Sequence, residues 1–165
     1  MNKQETTMPE DLDESFNVTV DDYIACFVSR AKALISKSAK LRVVRQIACI
    51  TSCYNIHEIK AVFGTSSIVD IFTFNGFLYE NVVRPYRHFL TLKESDYNEL
   101  TTCGVDDTII LSKILFDKFP NLYTLIKSRY PYIFIVGYKN NTPYVDDCLA
   151  KLKEAGVVVG IINRP

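Results

Sequence analysis

No stretch of these 165 residues holds eighteen consecutive apolar side chains, so no membrane-spanning helix is expected. Glycine is scarce, at six residues, and neither a G-x-G-x-x-G nor a Walker-type loop occurs. That disfavours the nucleotide-binding enzymes, whose backbones need glycine to approach phosphates closely. There is no G-x-S-x-G, hence no sign of a hydrolase elbow. The only histidines are His57 and His88, and the five cysteines are odd in number and irregular in spacing. A disulfide framework and zinc are therefore disfavoured, and reduced buried thiols are expected. Net charge is zero, from 19 basic and 19 acidic residues, so charge alone announces no nucleic-acid partner. The first fifteen residues, "MNKQETTMPEDLDES", have no apolar centre and do not read as a secretory signal. An intracellular location, cytoplasmic or nuclear, is the expectation.

What is present is an ordinary core-forming composition, 48% hydrophobic and 23% charged. Residues 1–16, with five acids and one lysine, read as a mobile acidic tail. The remainder, 17–165, reads as a single domain with a helical part (17–66) and a sheet part (67–165). Helical spacing runs through Ile24, Phe27, Val28, Ala31, Leu34 and Ile35, with Thr19 as cap. Leu41, Val44, Ile47 and Ala48 predict a second helix over 39–53, completing an N-terminal helical hairpin. That helix would place Cys49 and Cys53 on one face. A third helix is expected over 56–63.

The texture then changes. "SIVDIFTF" predicts a strand ending near Phe74, with Asn75-Gly76 as a turn. A short helix should follow and stop before Pro85, and "YRHFLTL" is a candidate strand. Two helices, over 105–118 and 121–130, lead to a closing unit of strand 132–138, helix from Thr142 to Gly156, and strand 157–162. Pro143 suits the first helical position and Gly156 suits the helix end. A helix between two apolar strands is the signature of a parallel crossover. The expected fold is thus α/β, with a mostly parallel central sheet, flanking helices and the N-terminal hairpin.

Ligands of such sheets gather at the carboxyl ends of the strands. Three segments fall there: Asn75-Gly76, Gly104-Val105-Asp106-Asp107, and Tyr138-Lys139-Asn140-Asn141. Together with the strand–helix–strand spacing from Gly137 through Pro143 to Gly156, "CGVDDTIILSKIL" and "NGFLYEN" resemble the NYN branch of the PIN-like ribonuclease superfamily over about residues 67–165. The resemblance implies a PIN-like, Rossmann-like sheet and hydrolysis of RNA by clustered carboxylates holding Mg²⁺ or Mn²⁺. It also implies where those carboxylates should be. The first falls on Asn75, the second on Asp106, the third on Ser112, and the last two on Tyr138 and Asn140. Only Asp106 keeps an acid, which makes it the single candidate metal ligand. The resemblance therefore implies a pseudonuclease without a cofactor. An active Mg²⁺- or Mn²⁺-dependent ribonuclease built on Asp70, Asp106 and Asp107 is the alternative. Asp106 and Asp107 also suit a helix N-terminus with no further role.

One positive signal stands apart. From Tyr23 to Ile56 there is no acid, while Arg30, Lys32, Lys37, Lys40, Arg42 and Arg45 all occur. Lys37, Lys40, Arg42 and Arg45, with Lys139, are the candidate RNA-binding residues. A solvated helix face explains the same run. Tyr79, Tyr86, Phe89, Tyr138 and Tyr144 are aromatics that could stack on bases. The expected partner is RNA, a protein docked on the N-terminal helices, or a second copy of the chain.

Overall fold

The computed structural model describes residues 23–40, 46–63, 66–90, 107–137 and 143–162. They form a four-stranded, all-parallel sheet covered by helices on both faces. In chain order the elements are α1 (Tyr23–Lys40), β1 (Ile47–Thr51), α2 (Ile56–Phe63), β2 (Val69–Phe72) and α3 (Phe74–Leu78). They continue with α4 (Asp107–Lys118), α5 (Leu122–Arg129), β3 (Tyr132–Val136), α6 (Pro143–Glu154) and β4 (Val158–Ile162). The strand order is β2-β1-β3-β4.

The main departure from the sequence reading lies in the expected hairpin. Its second arm is not a helix: residues 47–51 are β1, which pairs with β2 on one side and β3 on the other. All five residues of β1 are buried, as a central parallel strand with both faces covered requires. Cys49 is consequently buried in a strand and Cys53 is exposed in the turn beyond, so they share no helical face. The sheet also draws on both of the expected parts, since β1 lies inside 17–66.

Alternation along the strands sorts the core into two layers. Ala48, Ile50, Ile133, Ile135 and Val159 face one side, under α3, α4, α5 and α6. Ile47, Cys49, Val69, Phe134, Val136 and Ile162 face the other, under α1 and α2. Phe27 of α1 is fully buried there, with its ring 5.4 Å from Phe63 and 5.3 Å from Phe134.

Local chemistry explains most boundaries. Thr73 caps α3 by accepting the Gly76 N–H on its Oγ1 at 3.1 Å. Asn75-Gly76 is therefore the first turn of a helix rather than a free turn, and β2 ends at Phe72. The helix does not stop before Pro85 either. It widens into a π-turn over Tyr79–Val83, with the Arg84 N–H reaching back to the Tyr79 carbonyl, and resumes over Arg84–Tyr86. Proline has no N–H to give and crowds the preceding turn. The extra residue just before Pro85 lets the helix carry it. Arg87–Phe89 form a 3₁₀ turn where a strand was expected. At the other end, Gly156 (φ 88°) closes α6, and Val157 N–H bonds the Leu152 carbonyl at 3.0 Å.

Asp70, an odd residue for an apolar strand, has a partner. The hydroxyl of Tyr130, whose ring is fully buried, donates to Asp70 Oδ2 at 2.6 Å. Arg129 lies over the same ring at 5.1 Å. The pair sits at the amino-terminal half of the sheet and is structural. Tyr130→Phe removes the donor and leaves the half-buried carboxylate with less solvation, so a loss of about 1–3 kcal/mol is expected in urea unfolding. Asp70→Asn, which retains an acceptor, should cost less.

Candidate functional site

The site is best built from the topology. β1 passes through α2 on one face to β2, whereas β3 passes through α6 on the opposite face to β4. Leaving on opposite faces, α2 and α6 open a crevice between the carboxyl ends of β1 and β3. This is the topological switch point, where ligands of open parallel sheets are held.

The crevice floor is tied together by Thr51, fully buried, whose Oγ1 donates to the Val136 carbonyl at 2.8 Å. This side-chain bond joins the last residues of β1 and β3. Above it the chain turns through Ser52, Cys53, Tyr54 and Asn55. Asn55 N–H bonds the Ser52 carbonyl at 3.1 Å, and the Asn55 carbonyl accepts the Ile59 N–H at 3.1 Å to open α2. Ser52 and Asn55 are half-buried, and Tyr54 is 90% exposed. On the β3 side Gly137 (φ 61°) gives its N–H to the Ile162 carbonyl at 2.8 Å.

The opposite lip is α6. Its second residue, Tyr144, meets Ser112 of α4, hydroxyl to hydroxyl at 2.7 Å, and Ser112 Oγ also donates to the Ile109 carbonyl at 2.8 Å. Ser112 is fully buried. Burial drives the Tyr144 phenol well above its ordinary ionisation range, against a smaller opposing effect of the Ser112 hydrogen bond. Tyr144 therefore stays a neutral hydrogen-bonding group. The thiols near the core are similarly quiet: burial pushes Cys148 up to about 12 and Cys49 higher still. Neither is a nucleophile at neutral pH.

Asn75, half-buried in the first turn of α3, follows the edge strand β2. It is two strand spacings, about 10 Å, from the end of β3, with β1 between them. Ser112 is brought to Tyr144. Asp107 opens α4 and is exposed. Asp106, Tyr138, Lys139 and Asn140 lie outside the described residues, as do Arg42 and Arg45. Lys37 is exposed on α1 and Lys40 closes that helix. The residues 52–55 were missed, because the expected helix over 39–53 hid the strand that delivers them.

Among the described residues no group of three or more His, Cys, Asp or Glu side chains could hold a divalent metal. Ser112 already engages both of its neighbours. Hydroxyls and amides bring too little negative charge to offset dehydration of Mg²⁺. Among the described residues, too, no helix is long and apolar enough to cross a membrane. No family model matches the chain, and no curated protein matches it.

Proposed function

We propose that this domain is a non-catalytic, PIN-like RNA-binding or adaptor domain that holds single-stranded RNA at the β1–β3 crevice. The observation that carries the reading is the character of the crevice. It presents a hydroxyl and an amide (Ser52, Asn55) and one fully presented aromatic, Tyr54, 90% exposed at its mouth. Such groups bind bases and sugars without cleaving anything. An exposed tyrosine ring at a ligand crevice is a stacking platform of the kind that single-stranded nucleic acids use. The basic residues of α1 and the connection after it, Lys37, Lys40, Arg42 and Arg45, supply electrostatic attraction to the phosphates.

Fluorescence polarisation of a labelled single-stranded RNA tests this. Tyr54→Ala should weaken binding about tenfold, the loss of one base stack. The triple change of Lys40, Arg42 and Arg45 to Ala should weaken binding to all sequences and flatten its salt dependence. With Mn²⁺ present the signal should hold steady over time. A decaying signal that vanishes in Asp106→Asn would instead establish the active ribonuclease, and unchanged binding in Tyr54→Ala would remove the crevice from the mechanism.

A further inference from the structure

We propose that β4 is a self-association edge: two copies of this chain pair β4 with β4, antiparallel about a two-fold axis at Gly160, to make one eight-stranded sheet. β4 ends the sheet, with β3 as its single neighbour among the described residues. Val158 N–H bonds the Pro131 carbonyl and the Ile162 carbonyl accepts the Gly137 N–H, so Val158 and Ile162 aim their backbone groups inward at β3. By alternation Val159 and Ile161 aim theirs outward. The strand reads Val-Val-Gly-Ile-Ile, with no charge, proline or bulge to blunt it. The opposite edge strand, β2, is shorter and carries Asp70. Pairing Val159 with Ile161 of the second copy, and the reverse, satisfies the outward groups in two reciprocal pairs. It also covers Ile161, an exposed large apolar side chain of the sheet.

The helices fit the same axis. A crossover helix lies over the gap between its two strands, so α6 sits about half a strand spacing inside β4. The two-fold axis lies half a spacing outside it. The two α6 axes then run about 10 Å apart, which is the separation of packed helices. The length of α6, twelve residues at 1.5 Å, matches the five residues of β4, so its midpoint near Leu149 stands level with Gly160. One flank of α6 is turned to α4 through Tyr144. The opposite flank carries Asp146, Leu149, Ala150 and Lys153, by their angular spacing on the helix. Antiparallel approach sets Asp146 against Lys153 of the second copy, twice. On the other face α1 overlies β3 and β4.

Sedimentation velocity on the full chain, from low micromolar to near-millimolar concentration, should show a concentration-dependent dimer. Amide exchange at Val159 and Ile161 should slow as dimer forms. Asp146→Lys, an exposed change that leaves the fold alone, should shift the series to monomer. Adding Lys153→Asp to it should restore the dimer. Ile161→Pro removes only an outward N–H, which edge strands tolerate, and should also give monomer with an unchanged circular dichroism spectrum. Monomer at every concentration, or a dimer indifferent to Asp146→Lys, would overturn the proposal.

Discussion

Raising the pH from 8 to 10.5 should cost this domain a large share of its folding free energy. Five acids, four buried and Tyr144 half-buried, are responsible. Burial raises the ionisation of the Cys49 and Cys148 thiols and of the Tyr123, Tyr130 and Tyr144 phenols. Each holds its proton in the folded chain and loses it at an ordinary pH once unfolded, about 8.5 for a thiol and about 10 for a phenol. Above those values the unfolded state binds fewer protons than the native one, so stability falls as pH rises. The slope is about 1.4 kcal/mol per pH unit for each group. The two thiols start the decline near pH 8.5 and remove about 5 kcal/mol by pH 10.5. The three phenols add about 2 kcal/mol over the last half unit and steepen it sharply beyond. A domain of this kind holds about 5–15 kcal/mol in total. Urea titrations at pH 7.5, 9, 10 and 10.5 should therefore show a falling midpoint with a break near pH 10. In Cys148→Ala the curve should start lower, because a buried side chain has been trimmed, but decline less steeply below pH 10. A midpoint flat to pH 10 would show that the thiols are not sealed from water as the packing requires.

The sequence was most legible where local chemistry and tertiary role agree. The closing strand–helix–strand unit carries its own punctuation: Pro143 at the first helical position, Gly156 with φ 88°, and apolar runs on both sides. The interior of α1 is equally plain, because its apolar stripe packs against one layer only. β1 was hidden for the opposite reason. Buried on both faces, it shows no alternation, and its core, Ile-Ala-Cys-Ile-Thr, includes two small residues of modest strand preference. Leu41, Val44, Ile47 and Ala48 happen to recur at helical spacing, so periodicity favoured the wrong element. Ala48 is small because α3 comes close to β1 on that face. That is a tertiary requirement with no local signature. Without β1 the sheet read from the sequence has no switch point, so Ser52 to Asn55 have no place at a strand end there. Asn75-Gly76 carries a related lesson. The dipeptide is turn chemistry in isolation, but Thr73 two residues before Asn75 turns it into a capped helix start.

Phe27→Ala should be the most damaging single truncation on the α1 side, at about 3–5 kcal/mol. The ring is fully buried and touches Phe63 of α2 and Phe134 of β3, so one side chain fastens two helices to the sheet. Most of the remaining hold of α1 comes from smaller or partly exposed residues. The loss should appear as a lower urea midpoint and as faster proteolysis within α1. A second substitution separates cavity formation from helix release. Phe134 pairs in register with Gly160, where an added Cβ would stand 2.9 Å from two carbons of the Phe134 ring. Gly160→Ala alone must therefore push that ring aside, at about 1–3 kcal/mol for overpacking. The ring's escape route is toward Phe27. In the double variant Phe27→Ala, Gly160→Ala, the cavity left by one change receives the ring displaced by the other. The combined cost should then fall below the sum of the single costs by about 1 kcal/mol or more, the coupling expected of residues in one packed cluster. The comparison belongs at one fixed, dilute protein concentration, because association through β4 would add a concentration-dependent term to each midpoint. Strict additivity would mean that α1 is released as a unit in Phe27→Ala, leaving no cavity for the ring to enter.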